Sequence, residues 1–181
     1  MKGAVAECNH VFIKGNNLNE RFENLGENSK FYIGEIGFGI GINFLTTCKS
    51  WLNHAKQNQV LEFYSFDKYL FRLSDFKKLN ASCPGLKEYI SEFELSYPRN
   101  IQGVQKISLF DGRIILNLII GEIDSTQEYI KLMDKVDAWY LDGFSPSKNP
   151  DLWSKKLFKC IHKSCHKKTT FSTYTLSLIH I

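Results

Sequence analysis

Apolar residues along the chain fall into short, dense runs separated by longer segments in which they recur every three or four positions. A dense run of about four to eight apolar residues is typical of a buried β-strand, and the wider spacing is typical of an amphipathic helix. Strands and helices that alternate in this way favour a mostly parallel sheet with helices on both faces. The pattern predicts strands at residues 31–36, 60–66, 106–110, 113–120, 136–141 and 169–175, and helices at residues 42–56, 71–82, 86–96, 125–133 and 151–166.

Two parts of the chain depart from this alternation. Asp111 and Gly112 lie between two apolar runs, and an Asp-Gly dipeptide in that position favours a tight β-hairpin. Residues 1–30 hold a short apolar run followed by a Gly-Asn-Asn turn signal at residues 15–17 and a polar stretch. They are predicted to form a hairpin or an irregular lead-in.

Composition indicates an ordinary globular protein. The chain has 181 residues, of which 43% are hydrophobic and 23% charged, enough for one sizeable core. It lacks the roughly 18 consecutive apolar residues of a membrane span and the apolar stretch of a signal peptide, so we expect a cytoplasmic protein. The five cysteines are odd in number and scattered, which favours free thiols over a disulfide framework. A net charge of +4 permits a polyanionic partner without requiring one.

Residues that directly follow the strands are the first candidates for chemistry, because ligands of parallel α/β sheets bind beyond the carboxyl ends of the strands. After the first strand, Gly37, Gly39 and Gly41 alternate with apolar residues and allow the backbone to turn sharply and approach a ligand. A dinucleotide fingerprint would need glycine where Ile42 stands, which argues against NAD or FAD. Glu35 followed by G-x-G-x-G instead resembles the first motif of class I methyltransferases, whose loop holds S-adenosylmethionine. A tight turn without a ligand remains an alternative.

Two further carboxylates follow later strands. Asp67 comes after the glycine loop by slightly more than the roughly 20 residues at which a carboxylate meets a ribose. Such a carboxylate accepts hydrogen bonds from ribose hydroxyls, although an Asp at a strand end is, on its own, more often a helix N-cap. Glu122 follows residues 113–120 and is placed either against an adenine edge or in solvent.

Asp142 and the loop after it are candidates for the acceptor side of a site. An alkylamine is mostly protonated near pH 7, and a neighbouring carboxylate orients it and assists the loss of its proton. Phe144 would stand beside Asp142 at the mouth of the site. Lys148 and Asn149 lie in a stiff polar loop that suits a substrate contact. The alternative is that Asp142 caps a turn and that the loop is a connection.

The carboxyl-terminal third also contains histidines, cysteines and lysines. His162 and His166 have the i, i+4 spacing of a helix face, with Cys160 and Cys165 nearby, but no paired C-x-x-C supports a metal site and none is predicted. The same region is basic, and such a face either contacts phosphates or is solvated. Its lysines are Lys155, Lys156, Lys159, Lys163, Lys167 and Lys168.

Three stretches together carry a resemblance to a known family. Residues 12–18 (FIKGNNL), residues 34–45 (GEIGFGIGINFL) and above all residues 136–153 (VDAWYLDGFSPSKNPDLW) resemble the methyltransferase domain of the MnmC family. These are bifunctional tRNA 5-methylaminomethyl-2-thiouridine biosynthesis proteins. The resemblance runs from about residue 11 to residue 175.

The resemblance implies a Rossmann-like class I fold and methyl transfer from S-adenosylmethionine to the exocyclic amine of 5-aminomethyl-(2-thio)uridine at the tRNA wobble position. Asp67 stands where a Glu is usual and Glu122 where an Asp is usual. The implied residues are Asp142 and Phe144 for catalysis, Glu35, Gly37, Phe38, Gly39, Gly41, Asn43, Asp67 and Glu122 for the cofactor, and Lys148 and Asn149 for the substrate.

The residue pattern and the resemblance together divide the chain into a lead-in or hairpin at residues 1–30, a methyltransferase domain at residues 31–175 and an unmatched tail at residues 176–181. A full class I sheet has seven strands, and residues 169–175 correspond to the fifth of them, so the last two are expected to be missing. No FAD-dependent oxidoreductase domain is recognised, and FAD is not expected; such a domain is expected as a separate or fused partner. Two alternatives stay open: a non-catalytic fragment that binds an adenosine ligand or RNA, and a Rossmann oxidoreductase.

Overall fold

The computed structural model describes residues 2–69, 71–97, 103–133, 135–142 and 154–174. The predicted alternation of strands and helices is confirmed. In chain order the elements are α1 (Lys2–Cys8), a π-helical stretch (Asn9–Lys14), α2 (Leu18–Glu23), β1 (Lys30–Ile36), α3 (Ile42–His54), β2 (Val60–Asp67), α4 (Leu73–Ser82), a 3-10 turn (Pro84–Leu86), α5 (Lys87–Ser96), β3 (Gly103–Leu109), β4 (Ile114–Ile120), α6 (Ile123–Leu132), β5 (Val136–Leu141), α7 (Lys155–Lys163) and β6 (Cys165–Thr173).

The six strands form one sheet in the order β3-β4-β2-β1-β5-β6. Strands β4, β2, β1, β5 and β6 are parallel, and β3 pairs with β4 in the antiparallel direction. The Rossmann-like α/β class is therefore confirmed. Because β1 lies between β2 and β5, Glu35 stands opposite Ser65 on one side and Tyr140 on the other. The carboxyl ends of these three central strands meet at one edge.

Side chains on the two faces of the sheet form two apolar cores. One face packs against α3 and α5 through aromatic rings, including the contacts of Phe44 with Phe63 and Phe93 at centroid distances of 5.2 and 5.5 Å. The other face packs Trp139 with residues of α6 and α7. This packing explains Gly34, since a Cβ there would stand 2.6 Å from a carbon of the Trp139 ring.

The hairpin predicted around Asp111 is confirmed by the antiparallel β3–β4 pair. Phe110, Asp111 and Gly112 adopt φ values of 52°, 54° and 81°, so the turn is left-handed over three residues. Left-handed turns match the twist of the adjoining strands, which is why Asp-Gly is favoured there.

The hairpin or irregular lead-in predicted for residues 1–30 is wrong, because Lys2–Cys8, Asn9–Lys14 and Leu18–Glu23 are helical. Cys8 and Phe12 are four residues apart, as are Leu18 and Phe22, and all four are buried. Side chains at that spacing share one helical face, and here the face packs onto the core on the α3 side. The Gly-Asn-Asn sequence marks a break between helices, where Asn17 has a φ of 51°.

Two predicted helix boundaries are also wrong. Helix α6 begins at Ile123 with Glu122 as its N-cap, so the start expected at residue 125 lies inside the helix. Helix α7 ends at Lys163, and His166 lies on β6. His162 and His166 therefore do not share a helical face, because the chain has changed from helix to strand between them.

All five cysteines are free thiols, as expected, and four of them are buried. Burial raises the pKa of the Cys8 thiol to about 12, so this side chain is a neutral part of the core. Within the ranges that the structure describes, no helix has both the length and the apolar surface needed to cross a membrane.

Candidate active site

The loop that connects β1 to α3 is built from glycines in left-handed conformations. Gly37, Gly39 and Gly41 have φ values of 94°, 55° and 78°, which residues other than glycine adopt only at a cost in free energy. The Gly37 N–H donates to the Phe66 carbonyl of β2 at 2.8 Å, and the Gly41 N–H donates to the Phe38 carbonyl at 2.9 Å. The loop is thereby held against the end of β2, and Gly41 becomes the N-cap of α3.

Asp67 joins this loop at the end of β2. Its Oδ2 accepts a hydrogen bond from the Gly39 N–H at 2.8 Å, and its Oδ1 accepts one from the Tyr69 N–H at 3.2 Å. A Cβ built on Gly39 would meet no atom within 4 Å, so the loop borders open space. A carboxylate at the rim of open space beside a glycine loop fits a ribose-bearing cofactor such as S-adenosylmethionine.

Glu122 lies at the same edge of the sheet. The backbone brings it there, because the Gly121 N–H donates to the Asp67 carbonyl at 3.0 Å. Its carboxylate forms an ion pair with Lys68, and its backbone caps α6. The structure thus places Glu122 near Asp67 and gives its side chain a partner within the protein.

Glu35, Asn43 and Asp142 form a connected group beneath the same edge. The Asn43 side-chain amide donates to Glu35 Oε1 at 3.1 Å and to Asp142 Oδ2 at 2.7 Å. Ser65 donates to the second oxygen of Glu35 at 2.6 Å. An amide nitrogen carries two hydrogens, so Asn43 uses both of them to join the two carboxyl groups.

The two carboxyl groups have different protonation behaviour. Burial of Glu35, which has no exposed surface, raises its pKa to about 8. Burial also raises the pKa of Asp142 to about 6, while the hydrogen bond from Asn43 opposes that rise. Near pH 7 Glu35 is therefore neutral and Asp142 is mostly ionised, which leaves one negative charge in the group.

A second layer of polar side chains supports Asn43. Thr47 donates to the Asn43 carbonyl at 2.7 Å, and its hydroxyl lies 3.0 Å from the hydroxyl of the buried Tyr140. Phe12 packs against Tyr140 with ring centroids 4.7 Å apart. Sequence reasoning missed Ser65, Thr47 and Tyr140, although a serine inside an otherwise apolar strand is a signal for a buried hydrogen bond.

The remaining candidates are placed less directly. The Phe38 side chain is buried in the aromatic core, 6.0 Å from Phe93 between ring centroids, so any ligand contact from this residue comes from its backbone. Phe144, Lys148 and Asn149 lie outside the described residues. In the described ranges, no group of three or more His, Cys, Asp or Glu side chains has an arrangement that could hold a metal ion.

Comparison with known proteins gives a family match. Residues 84–179, more than half of the chain, match a family model described as S-adenosyl-L-methionine-dependent methyltransferase. Two curated relatives are both named tRNA 5-methylaminomethyl-2-thiouridine biosynthesis bifunctional protein MnmC. The one from Marinomonas sp. is 40% identical over 174 residues, and the one from Hydrogenovibrio crunogenus is 39% identical over 171 residues. The alignments cover 96% and 94% of this chain and 25% of each relative, so the chain spans about a quarter of their length.

A solved structure supports the fold. The crystal structure of MNMC2 from Aquifex aeolicus aligns with a TM-score of 0.73 over 97% of this chain and 51% of that chain. Sequence identity in this alignment is 21%, so the likeness concerns the fold.

Proposed function

The chain belongs to the S-adenosyl-L-methionine-dependent methyltransferases, and on that premise we propose that it methylates the exocyclic amine of 5-aminomethyl-(2-thio)uridine at the wobble position of tRNA. The product would be 5-methylaminomethyl-(2-thio)uridine. The observation that carries the proposal is the Asp142 carboxylate, held by Asn43 at the carboxyl end of β5 and ionised near pH 7. The substrate class follows the printed names of the relatives.

S-adenosylmethionine supplies an electrophilic methyl group on a sulfonium centre when it is bound. The left-handed loop at Gly37, Gly39 and Gly41 leaves room for it, since no atom lies within 4 Å of where a Gly39 Cβ would stand. Asp67 already accepts two backbone N–H groups, and a carboxylate has about four lone-pair sites, so acceptor capacity remains for ribose hydroxyls. Glu122 is the proposed contact for the adenine edge.

Asp142 acts on the acceptor amine. A primary alkylamine is mostly protonated near pH 7 and must lose a proton before its nitrogen can attack. The Asp142 carboxylate accepts hydrogen bonds from this group, orients it and assists the loss of its proton. Because the pKa of Asp142 is about 6, activity should rise as the pH increases through that value.

Glu35 and Asn43 are assigned to Asp142 rather than to the cofactor. The Glu35 side chain has no exposed surface, and its two oxygens are already hydrogen-bonded to Asn43 and Ser65. A neutral Glu35 adds no second negative charge beside Asp142, and Asn43 fixes the position of the Asp142 carboxylate. Both are positioning residues that act through Asp142.

The remaining roles complete the proposal. Phe144 is proposed to stand beside the reacting uridine, and Lys148 and Asn149 are proposed to contact the tRNA. An FAD-dependent oxidoreductase, on the same polypeptide or separate from it, would supply the amine, and this chain would need no FAD itself. A cytoplasmic location suits a tRNA substrate.

The test replaces Asp142 with asparagine, which keeps the shape and removes the negative charge. Methyl transfer from labelled S-adenosylmethionine to tRNA carrying 5-aminomethyluridine should fall by about 10²–10⁴-fold in Asp142→Asn. Calorimetric titration should give an S-adenosylmethionine Kd within about twofold of the unaltered protein.

The matched variant is Asp67→Asn, which alters a carboxylate on the cofactor side. It should weaken S-adenosylmethionine binding, whereas Asp142→Asn should not. An equal loss of binding in both variants would refute the role of Asp142. Binding without transfer by the unaltered protein would favour the non-catalytic alternative.

A further inference from the structure

Helix α7, the start of β6 and the residue before β5 carry a band of exposed lysines, which we call the lysine strip. On α7 the buried side chains are Leu157, Cys160 and Ile161, at the i, i+3 and i+4 spacing of one helical face. The opposite face is basic, and Lys155–Lys163 contains no acidic residue. The strip consists of Lys135, Lys155, Lys156, Lys159, Lys163, Lys167 and Lys168, all exposed.

A β-bulge presents the end of the strip. Val136 pairs with Cys165 and Ala138 pairs with Thr170, so residues 166–169 lie opposite the single residue Asp137. Four internal contacts fix this bulge: the His166 ring lies 3.0 Å from the Asp137 carboxylate, the Lys168 N–H donates to the same ring, the His166 N–H donates to Thr169 Oγ1, and Thr169 Oγ1 donates to the Val136 carbonyl. Lys167 and Lys168 therefore belong to a β-bulge whose backbone is held in place by these contacts.

The strip leads away from the proposed active site. The Val136 N–H, at the start of β5, donates to the Ser164 carbonyl just after α7, and Lys135 donates to the Lys163 carbonyl. Helix α7 therefore ends near the start of β5. Because β5 runs toward Asp142, α7 runs antiparallel to β5, from the edge of the sheet that holds the site to the opposite edge. The lysines of α7 recur about once per helical turn, roughly every 5.4 Å along this path.

Charge is concentrated in the strip. Its seven lysines exceed the net charge of +4 for the whole chain, so the other 174 residues together carry a net charge of −3. Between residues the structure describes, no carboxylate lies within ion-pair distance of Lys159, Lys163 or Lys167. Like charges in a row repel one another, and a polyanion relieves that repulsion.

We propose that the lysine strip binds the phosphate backbone of the substrate tRNA while the target uridine lies at the carboxyl edge of the sheet. The inference rests on the proposed function and deepens it by naming a contact surface for the tRNA. Lysines contact phosphates as point charges, without reading the sequence of the bases. Each phosphate contact contributes about 0.7 to 0.9 to the slope of log affinity against log salt concentration.

The experiment compares two triple variants with equal loss of charge. The strip variant is Lys159→Gln, Lys163→Gln and Lys167→Gln. The control variant is Lys77→Gln, Lys78→Gln and Lys87→Gln, at exposed positions of α4 and α5, which pack on the other face of the sheet. The affinity for tRNA is measured by fluorescence anisotropy over a series of salt concentrations, and S-adenosylmethionine binding is measured by calorimetry.

The strip variant should weaken tRNA binding and reduce the magnitude of the salt slope by about 2 to 3, as expected when three phosphate contacts are lost. The control variant should keep the original slope, and both should bind S-adenosylmethionine like the unaltered protein. Methylation of the free nucleoside 5-aminomethyluridine should be the same in all three proteins, because it involves no phosphate backbone.

Two results would overturn the inference. Equal reductions of the slope in both variants would show that overall charge, not this surface, sets the affinity. An unchanged slope in the strip variant would show that the strip does not contact tRNA. This conclusion would hold even if the strip bound anionic lipid vesicles. Failure of the proposed function looks different, since the unaltered protein would then methylate neither the nucleoside nor the tRNA.

Discussion

Substitution of Gly39 distinguishes the two interpretations of the loop after β1, a ligand-binding loop or a tight turn without a ligand. Gly39 and Gly103 both have left-handed φ values, +55° and +74°, and a Cβ at either would meet no atom within 4 Å. Valine at either position should therefore cost similar backbone strain, of the order of 1–2 kcal/mol. Gly39→Val should weaken S-adenosylmethionine binding by at least about tenfold, because its side chain would occupy the open space of the loop.

Gly103→Val is the matched control, because Gly103 begins β3, three strands away from β1. Both variants are titrated with S-adenosylmethionine in a calorimeter, and denaturation curves compare their stability. Unchanged binding in Gly39→Val would mean that the loop is a turn and that the cofactor lies elsewhere.

Glu35 should make the stability of the fold depend on pH. Its pKa is about 8 when folded, against 4.5 for an exposed side chain. Between these values the folded state holds one proton more than the unfolded state, so the free energy of unfolding falls as pH rises, by up to about 1.4 kcal/mol per pH unit. Glu35→Gln keeps the shape without the titration and should flatten this dependence.

Urea unfolding of both proteins between pH 5 and about 8 tests this expectation, with the contribution of Asp142 common to both. At the upper end of that range the variant should be the more stable protein. Identical pH dependence in the two proteins would mean that Glu35 titrates at its ordinary pKa in the fold.

At the scale of elements, the β1–β5 pair depends on a missing side chain. The Trp139 ring lies across Gly34, where an added Cβ would be 2.6 Å away. Gly34→Ala should lower the free energy of unfolding by about 1–3 kcal/mol, because the ring or the strand must shift. Gly85→Ala, with its nearest neighbour at 3.9 Å, should change stability by less than about 1 kcal/mol. Equal urea midpoints for the two variants would contradict this packing.

Elements differed in how well the sequence predicted them. Strands β1, β2, β4 and β5 were recognisable because buried parallel strands are continuous apolar runs. The helices before β1 were missed. Cys8 and Phe12 have helical spacing and are buried, but the Gly-Asn-Asn turn signal at residues 15–17 favoured a hairpin. The start of α6 was placed too late because Ser125 and Glu128 match a capping pattern inside the helix.

At the scale of the whole molecule, residues expected to form a lead-in belong to the core. Phe12 is fully buried and contacts the rings of Tyr140 and Tyr174. Phe12→Ala should lower the free energy of unfolding by about 3–5 kcal/mol, in one transition shared with the rest of the chain. Leu95→Ala, at a side chain that is 86% exposed, should change it by less than about 0.5 kcal/mol. A separate early transition in Phe12→Ala would mean that the segment folds independently.

Family membership was predictable from short motifs. The stretches at residues 34–45 and 136–153 resemble the MnmC family, and the curated relatives confirm that resemblance. Motifs of this kind are local, so they can be recognised in the sequence without knowledge of the fold.

The sequence alone determined the order of strands and helices from β1 onward, the edge of the sheet where a site would lie, and the glycine loop with Asp142. These depend on local periodicity and on the rule that ligands bind at the carboxyl ends of parallel strands. Tertiary structure alone decided that Asn43 joins Glu35 to Asp142, that Glu35 is buried, and that Lys135 lies beside the lysines of α7. The bond from Asn43 to Asp142 joins residues 99 positions apart in the chain, and the distance between them is set by strand register and helix packing.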